Sequence, residues 1–169
     1  MRLEGKVALV TGGGGAGIGS TTAARFAREG ARVVLVDIDQ QRAEEAAARI
    51  AADGGEALAI HADVTQSAAI EALAARALER FGQVDILVNN AGRSIGDDIR
   101  KIDEETWDLN FAVVLKSAYL CAKALLPQMI ARGSGAIINI SSVNGLTGIG
   151  EEAYAAAKAG MVNLTQNMA

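Results

Sequence analysis

The chain has 169 residues, enough for one domain with a sizeable core. Half of them are apolar and 21% are charged, which is ordinary soluble composition, and a net charge of −4 with a pI near 5.0 argues against a nucleic-acid binder. No apolar run approaches the roughly 18 residues of a membrane span. The opening M-R-L-E-G-K lacks an apolar signal core, and the single cysteine, Cys121, forms no intrachain disulfide, so a cytoplasmic protein is expected.

Residues 7–11 (V-A-L-V-T) read as a buried parallel strand that enters a glycine cluster, Gly12 to Gly15, followed by A-G-I-G. Ala23, Ala24 and Phe26 at helical spacing place a helix after Gly19. Strand, glycine loop and helix form the first half of a dinucleotide-binding βαβ unit. A pyrophosphate must approach the loop backbone closely, and the N–H groups of the first helical turn then bind it. Gly17 and Gly19 would let the helix start pack near the phosphates and the strand. Taken alone, a glycine-rich loop is also an ordinary surface turn.

A second buried strand, 32–36, ends at Asp37, 18 residues beyond Gly19. A carboxylate there accepts hydrogen bonds from an adenosine ribose and repels a 2′-phosphate, which favours NAD over NADP. The next residue is Ile38, not the arginine that a 2′-phosphate would want. An alanine-rich helix over 40–52 stops at Gly54-Gly55, and a third strand over 57–60 leads to Asp63-Val64. Helical spacing over 67–80 ends at Gly82. A fourth strand, 84–88, runs into N-N-A-G at 89–92.

Residues 93–103 are polar and broken by Gly96, a loop with at most one helical turn. A long helix over 104–130 follows, with Pro127 expected to kink or shorten its end. Residues 136–140 form a fifth strand before S-S-V-N-G, and 151–169 read as another helix. Strands alternating with long helices imply a parallel sheet with right-handed crossovers. With no repeat or linker, 1–169 form one domain. Cys121 reads as a buried helical thiol. The only histidine, His61, reads as a strand-end residue, so a multi-histidine metal site is excluded and no metal is expected.

With N-N-A-G, S-S-V-N-G and Y-A-A-A-K in order, the chain resembles the short-chain dehydrogenases/reductases from about Lys6 onward. The resemblance implies a Rossmann-like, doubly wound α/β fold and an NAD-dependent oxidoreductase that interconverts a secondary alcohol and a ketone. The family's glycine pattern, T-G-x-x-x-G-x-G, is one residue longer here, so Gly12 or Gly13 fills its first glycine position. The implied cofactor contacts are Gly13, Gly17, Ile18, Gly19 and Asp37, with Asp63 and Val64 at the adenine and Asn90, Ala91 and Gly92 lining the cleft.

The implied chemistry rests on Ser142, Tyr154 and Lys158. Tyr154 and Lys158, four apart, share a helix face. A free tyrosine titrates near 10, too high for an efficient base, and a fixed ammonium nearby would favour the phenolate. Lys158 would also hold the nicotinamide ribose, and Ser142 would hydrogen-bond the substrate oxygen. S-x-x-G selects Ser142, although Ser141 has the family's usual spacing to the tyrosine.

Two departures stand out. The position where the family carries a water-holding catalytic asparagine falls on Val114, with Asn110 one turn earlier as a partial substitute, so a slower or silent enzyme is expected. The family also continues into further strands and a substrate loop, so the chain is expected to be incomplete at its C-terminal side, with an exposed fifth strand. The alternatives are a non-catalytic nucleotide-binding or interaction module and, more remotely, a sugar-nucleotide epimerase or dehydratase. The resemblance further implies a dimer or tetramer packed through the long helix and the Tyr154 helix, whose small and apolar residues (Ala118, Ala122, Ala156, Ala159, Met161) fit that and would fit core burial equally well.

Overall fold

The computed structural model describes residues 1–96 and 98–169; Asp97, inside the 93–103 loop, lies outside the described residues. β1 (Val7–Thr11) is buried at every position, as its unbroken apolar sequence requires of a strand covered on both faces. It pairs in parallel with β2 (Arg32–Asp37) on one side and β4 (Ile86–Asn89) on the other. β3 (Ala57–His61) and β5 (Ala136–Asn139) complete a five-stranded parallel sheet of order β3-β2-β1-β4-β5. His61 is the exposed last residue of β3. Strand order reverses between β1 and β4, and the crevice that such a reversal opens lies at the C-terminal ends of those two strands.

Helices cover both faces, giving the doubly wound Rossmann-like architecture. Ala8, Val10, Val33 and Leu35 face α1 (Ile18–Arg28) and α2 (Gln40–Ala52). Val7, Leu9, Val34, Val36 and Leu87 face α3 (Ser67–Phe81) and α5 (Ser117–Arg132). Leu9, Leu35, Ile60, Ile70, Leu73, Leu87 and Leu125 are sealed from solvent, each contributing about 2 kcal/mol by burial.

β4 begins at Ile86, two residues later than expected, because Val84 and Asp85 serve a different purpose. The Asp85 carboxylate is buried and accepts from the Val7 N–H at 2.9 Å, Gln83 Nε2 at 2.9 Å and Arg132 at 3.2 Å. Burial alone would raise its pKa, but these hydrogen bonds together outweigh it and hold the carboxyl below the usual aspartate value. The network ties β1, β4 and the end of α5 together at the side of the sheet opposite the crevice.

The long helix breaks at a different place from the one expected. Pro127 sits inside α5, which continues to Arg132 and closes on Gly133 in the left-handed conformation. The irregularity lies between α4 (Glu104–Phe111) and α5, where Ala112–Lys116 form a π turn. There the Ser117 N–H reaches back to the Ala112 carbonyl, and the Ser117 hydroxyl takes the Val113 carbonyl. Contrary to the sequence expectation, the run Glu104–Arg132 is by length and mean hydropathy (1.5) apolar enough to cross a membrane. Its apolar residues Val114, Ala118, Cys121, Ala122, Leu125 and Met129 are instead buried within the fold.

α6 (Glu152–Met168) packs on the π turn and α4, where Ala157 and Met161 meet Val114 and Ala118, with Phe111, Leu115 and Tyr154 at the margin. Ala118, Ala122 and Met161, which the sequence left open between assembly and core, belong to the core of the chain itself. Cys121 is buried as expected, and burial pushes its thiol up to about 12.

Candidate active site

The glycine loop leaves β1 through Gly12, whose φ of +64° suits glycine. Of the two candidates for the first glycine position, Gly12 makes the turn. Gly13 is held against β2, its N–H donating to the Val36 carbonyl at 3.0 Å and its Cα facing Leu35. Gly19, in the first turn of α1, lies so close to the Gly12 carbonyl and Asn90 Nδ2 that a Cβ would collide with both. Gly17 is the N-cap of α1, exposed, with open space where its Cβ would project. The first turn of α1 holds no acidic side chain to compete with an anion.

Asn90 ties the crevice together. Its Nδ2 donates to the carbonyls of Thr11 (2.9 Å) and Gly12 (3.1 Å), while the backbone N–H groups of Asn90 and Ala91 donate to Thr11 Oγ1, both at 3.1 Å. The loop after β4 is thereby fastened to the loop after β1. Asp37 closes β2, half-buried, with both carboxylate oxygens facing backbone donors of the loop region. Asp63 accepts from the N–H and hydroxyl of Thr65 through one oxygen, which fixes the turn that carries buried Val64.

The second half of the site assembles on α6. Lys158 Nζ lies 5.5 Å from the centre of the Tyr154 ring, as residues four apart on a helix allow, and it donates to the Ile140 carbonyl. Lys158 is 2% exposed, and this burial lowers its pKa to about 8. A Cβ at Gly92 would stand 3.7 Å from Lys158 Nζ and 3.4 Å from Val114, so the N-N-A-G turn meets the lysine directly.

The turn after β5 docks on the same helix. The Ser141 hydroxyl donates to the Lys158 carbonyl at 3.2 Å, and Gly145 abuts the backbone of Lys158 and Ala159 too closely for a side chain. Ser141 is thus engaged with α6. The Ser142 hydroxyl caps the short 3-10 turn Val143–Gly145, accepting from the Asn144 N–H at 3.3 Å.

Val114 is fully buried between Gly92 and α6. Asn110 does not stand in for the missing amide, because its own is fully occupied. Its Nδ2 donates to the Ile95 and Thr106 carbonyls, both at 2.8 Å, and its Oδ1 accepts from the Ile95 N–H at 3.2 Å. Sequence reasoning missed this clamp on the 93–103 loop, and it missed the pair in which Asn144 Nδ2 donates to Glu151 Oε2 at 2.6 Å. Glu151 takes φ +57° just before α6, a conformation that no residue pattern announced.

These features carry a broad family signature, and comparison with known proteins identifies it. The short chain dehydrogenase family profile matches residues 6–169, and the chain belongs to that family of oxidoreductases. Among curated relatives, 2-(S)-hydroxypropyl-CoM dehydrogenase 3 of Xanthobacter autotrophicus is 43% identical over 99% of this chain and 66% of its own length. A metagenomic short-chain oxidoreductase in complex with NADP superposes with a TM-score of 0.95 at 40% identity, covering 100% of this chain and 77% of the other. An NAD+-bound xylitol dehydrogenase gives 0.96 at 32% identity, covering 100% and 65%. The chain therefore spans about two thirds of the length of most of these proteins.

Proposed function

We propose that this chain carries the cofactor cradle and the acid/base pair of an NAD-dependent oxidoreductase that interconverts a secondary alcohol and a ketone. The observation that carries the reading is the convergence on one crevice of a glycine loop packed too closely on Asn90 to admit a Cβ at Gly12 or Gly19, the Asp37 carboxylate, and Lys158 beside Tyr154. Relatives bind either NAD+ or NADP, and Asp37 followed by Ile38 supports NAD in this chain.

The residues fit a dinucleotide. Gly12, Gly17, Ile18 and Gly19 would hold its pyrophosphate, Asp37 its adenosine ribose, and Asp63 and Val64 its adenine. Asn90, Ala91 and Gly92 would line the nicotinamide side, with Lys158 at that ribose. When bound, the nicotinamide supplies or accepts the hydride. Tyr154 gives its phenolic proton to the carbonyl oxygen in reduction and takes the alcohol proton in oxidation. The Lys158 side chain stands beside the ring, and Ser142 donates a hydrogen bond to the substrate oxygen as charge develops on it. The buried Val114 can hold no water behind the lysine, which slows the return of the proton to solvent. Because relatives bear dehydrogenase and oxidoreductase names, a purely non-catalytic module is the less favoured reading.

The test is NADH formation from NAD+ with a panel of secondary alcohols, comparing the chain with Tyr154→Phe. Turnover that depends on Tyr154 is expected. Absence of turnover in the chain, or equal rates in both proteins, would overturn the catalytic reading.

A further inference from the structure

The glycine loop makes one contact that phosphate binding does not require. Gly14 is a loop residue, yet it is buried, and its N–H donates to Asp37 Oδ2 at 2.9 Å. The other oxygen, Oδ1, accepts from the Asp39 N–H at 3.1 Å. Asp39 is in turn the N-cap of α2, its side chain accepting from the Arg42 N–H at 3.0 Å. Gly14 rests on that same first turn: a Cβ there would lie 2.7 Å from the Ala43 nitrogen and 2.8 Å from the Arg42 carbonyl carbon. Both are backbone atoms that cannot swing aside, so no larger residue fits without lifting the loop off α2.

We infer that Gly14 is the positioning residue for Asp37, setting the orientation in which that carboxylate selects the nucleotide's ribose. An ionised carboxylate has about four acceptor positions on its two oxygens. One backbone donor on each oxygen fixes the plane of the group and leaves each oxygen an open position, the arrangement that a vicinal diol satisfies with its two hydroxyls. A 2′-phosphate brought to the same place would meet a carboxylate that cannot rotate away. The inference rests on the cofactor reading above and adds to it a specific cause for the preference. Every residue involved lies within 14–43, so the half-site can be tested on this chain.

The experiment has two arms. In the first, NADH and NADPH are titrated separately into the chain, Gly14→Ala, Asp37→Ala and the double variant, with Gly15→Ala as the control because nothing lies within 4 Å of its Cβ position. Gly14→Ala is expected to lower the NADH-over-NADPH preference about tenfold, the scale of a hydrogen bond to a charged group. Gly15→Ala should leave that ratio within about twofold, and Gly14→Ala should change nothing further once Asp37 is alanine. An unchanged ratio in a folded Gly14→Ala, or an equal drop in the Asp37→Ala background, overturns the inference. In the second arm, amide hydrogen exchange is measured without nucleotide. The Gly14 N–H should exchange more slowly than that of Gly15 and lose this protection in Asp37→Ala. If the chain binds neither nucleotide, the cofactor reading fails, and this arm still decides the clamp: exchange at Gly14 indifferent to Asp37 overturns it.

Discussion

The two sides of the crevice differ in how completely the chain itself builds them. On the side of β1, β2 and β4 nearly every strand residue is buried, and Thr11, Asn90, Gly14 and Asp37 lock the loops to one another through backbone donors and acceptors. On the side of β5 the strand is only half covered: Ile138 is 41% exposed, and Val143 and Leu146 in the following turn are 65% and 74% exposed. The glycine-loop side of the crevice is thus closed by bonds between the loops themselves, whereas the Tyr154–Lys158 side hangs on α6, held by the Ser141–Lys158 contact and Gly145.

The sharpest way to separate the two halves is Tyr154→Phe. It should lower turnover by about 10²–10⁴-fold while leaving the dissociation constant for NADH within about twofold, measured by nicotinamide fluorescence. A parallel loss of NADH binding would mean that the halves are not separable.

Stability should divide along the same line. Leu87→Ala, in the sealed strand β4, should cost about 3 kcal/mol in urea denaturation. Ile138→Ala, in half-exposed β5, should cost under about 1 kcal/mol. Similar costs would show β5 to be as well packed as the centre.

Lys158 gives a pH signature for the reacting half. Its folded pKa of about 8 lies below the ordinary 10.5, so between those values the unfolded chain binds more protons than the folded one. Unfolding free energy should therefore rise with pH from about 8 to 10.5, by on the order of 3 kcal/mol. Below pH 8 the cost of burying the ammonium is carried in full. Lys158→Met should flatten that rise, and a rise that persists in the variant would assign it to another group.

The smallest effect is expected at Val114. Val114→Asn would restore an amide beside Gly92 and Lys158, and turnover should increase about tenfold where it can be measured. No gain in a folded variant would count against the alignment that places the relay there.

Much of this was legible from residue order. Short apolar runs marked the strands, the first of them running straight into glycine, and the three motifs N-N-A-G, S-S-V-N-G and Y-A-A-A-K gave the order in which the crevice is assembled. What escaped the sequence depends on where a side chain turns. Pro127 looked like the break in the long helix, but the helix runs on through it to Arg132, and the π turn at Ala112–Lys116 leaves no compositional trace. Gly12 and Gly13 are indistinguishable as letters; only the positive φ of Gly12 and the packing of Gly13 on Leu35 separate them. Asn110 looked like a spare amide until its three bonds to Ile95 and Thr106 were visible. Asp85 read as part of the fourth strand and proved to be the hub joining β1, β4 and α5.

The central claim is that this chain by itself forms a finished NAD half-site. Titration of the purified chain with NADH and with NADPH, followed by nicotinamide fluorescence, tests it most directly. Saturable NADH binding with NADPH at least about tenfold weaker is the predicted result. Equal or tighter NADPH binding, or no binding of either by a chain that circular dichroism shows to be folded, would contradict it.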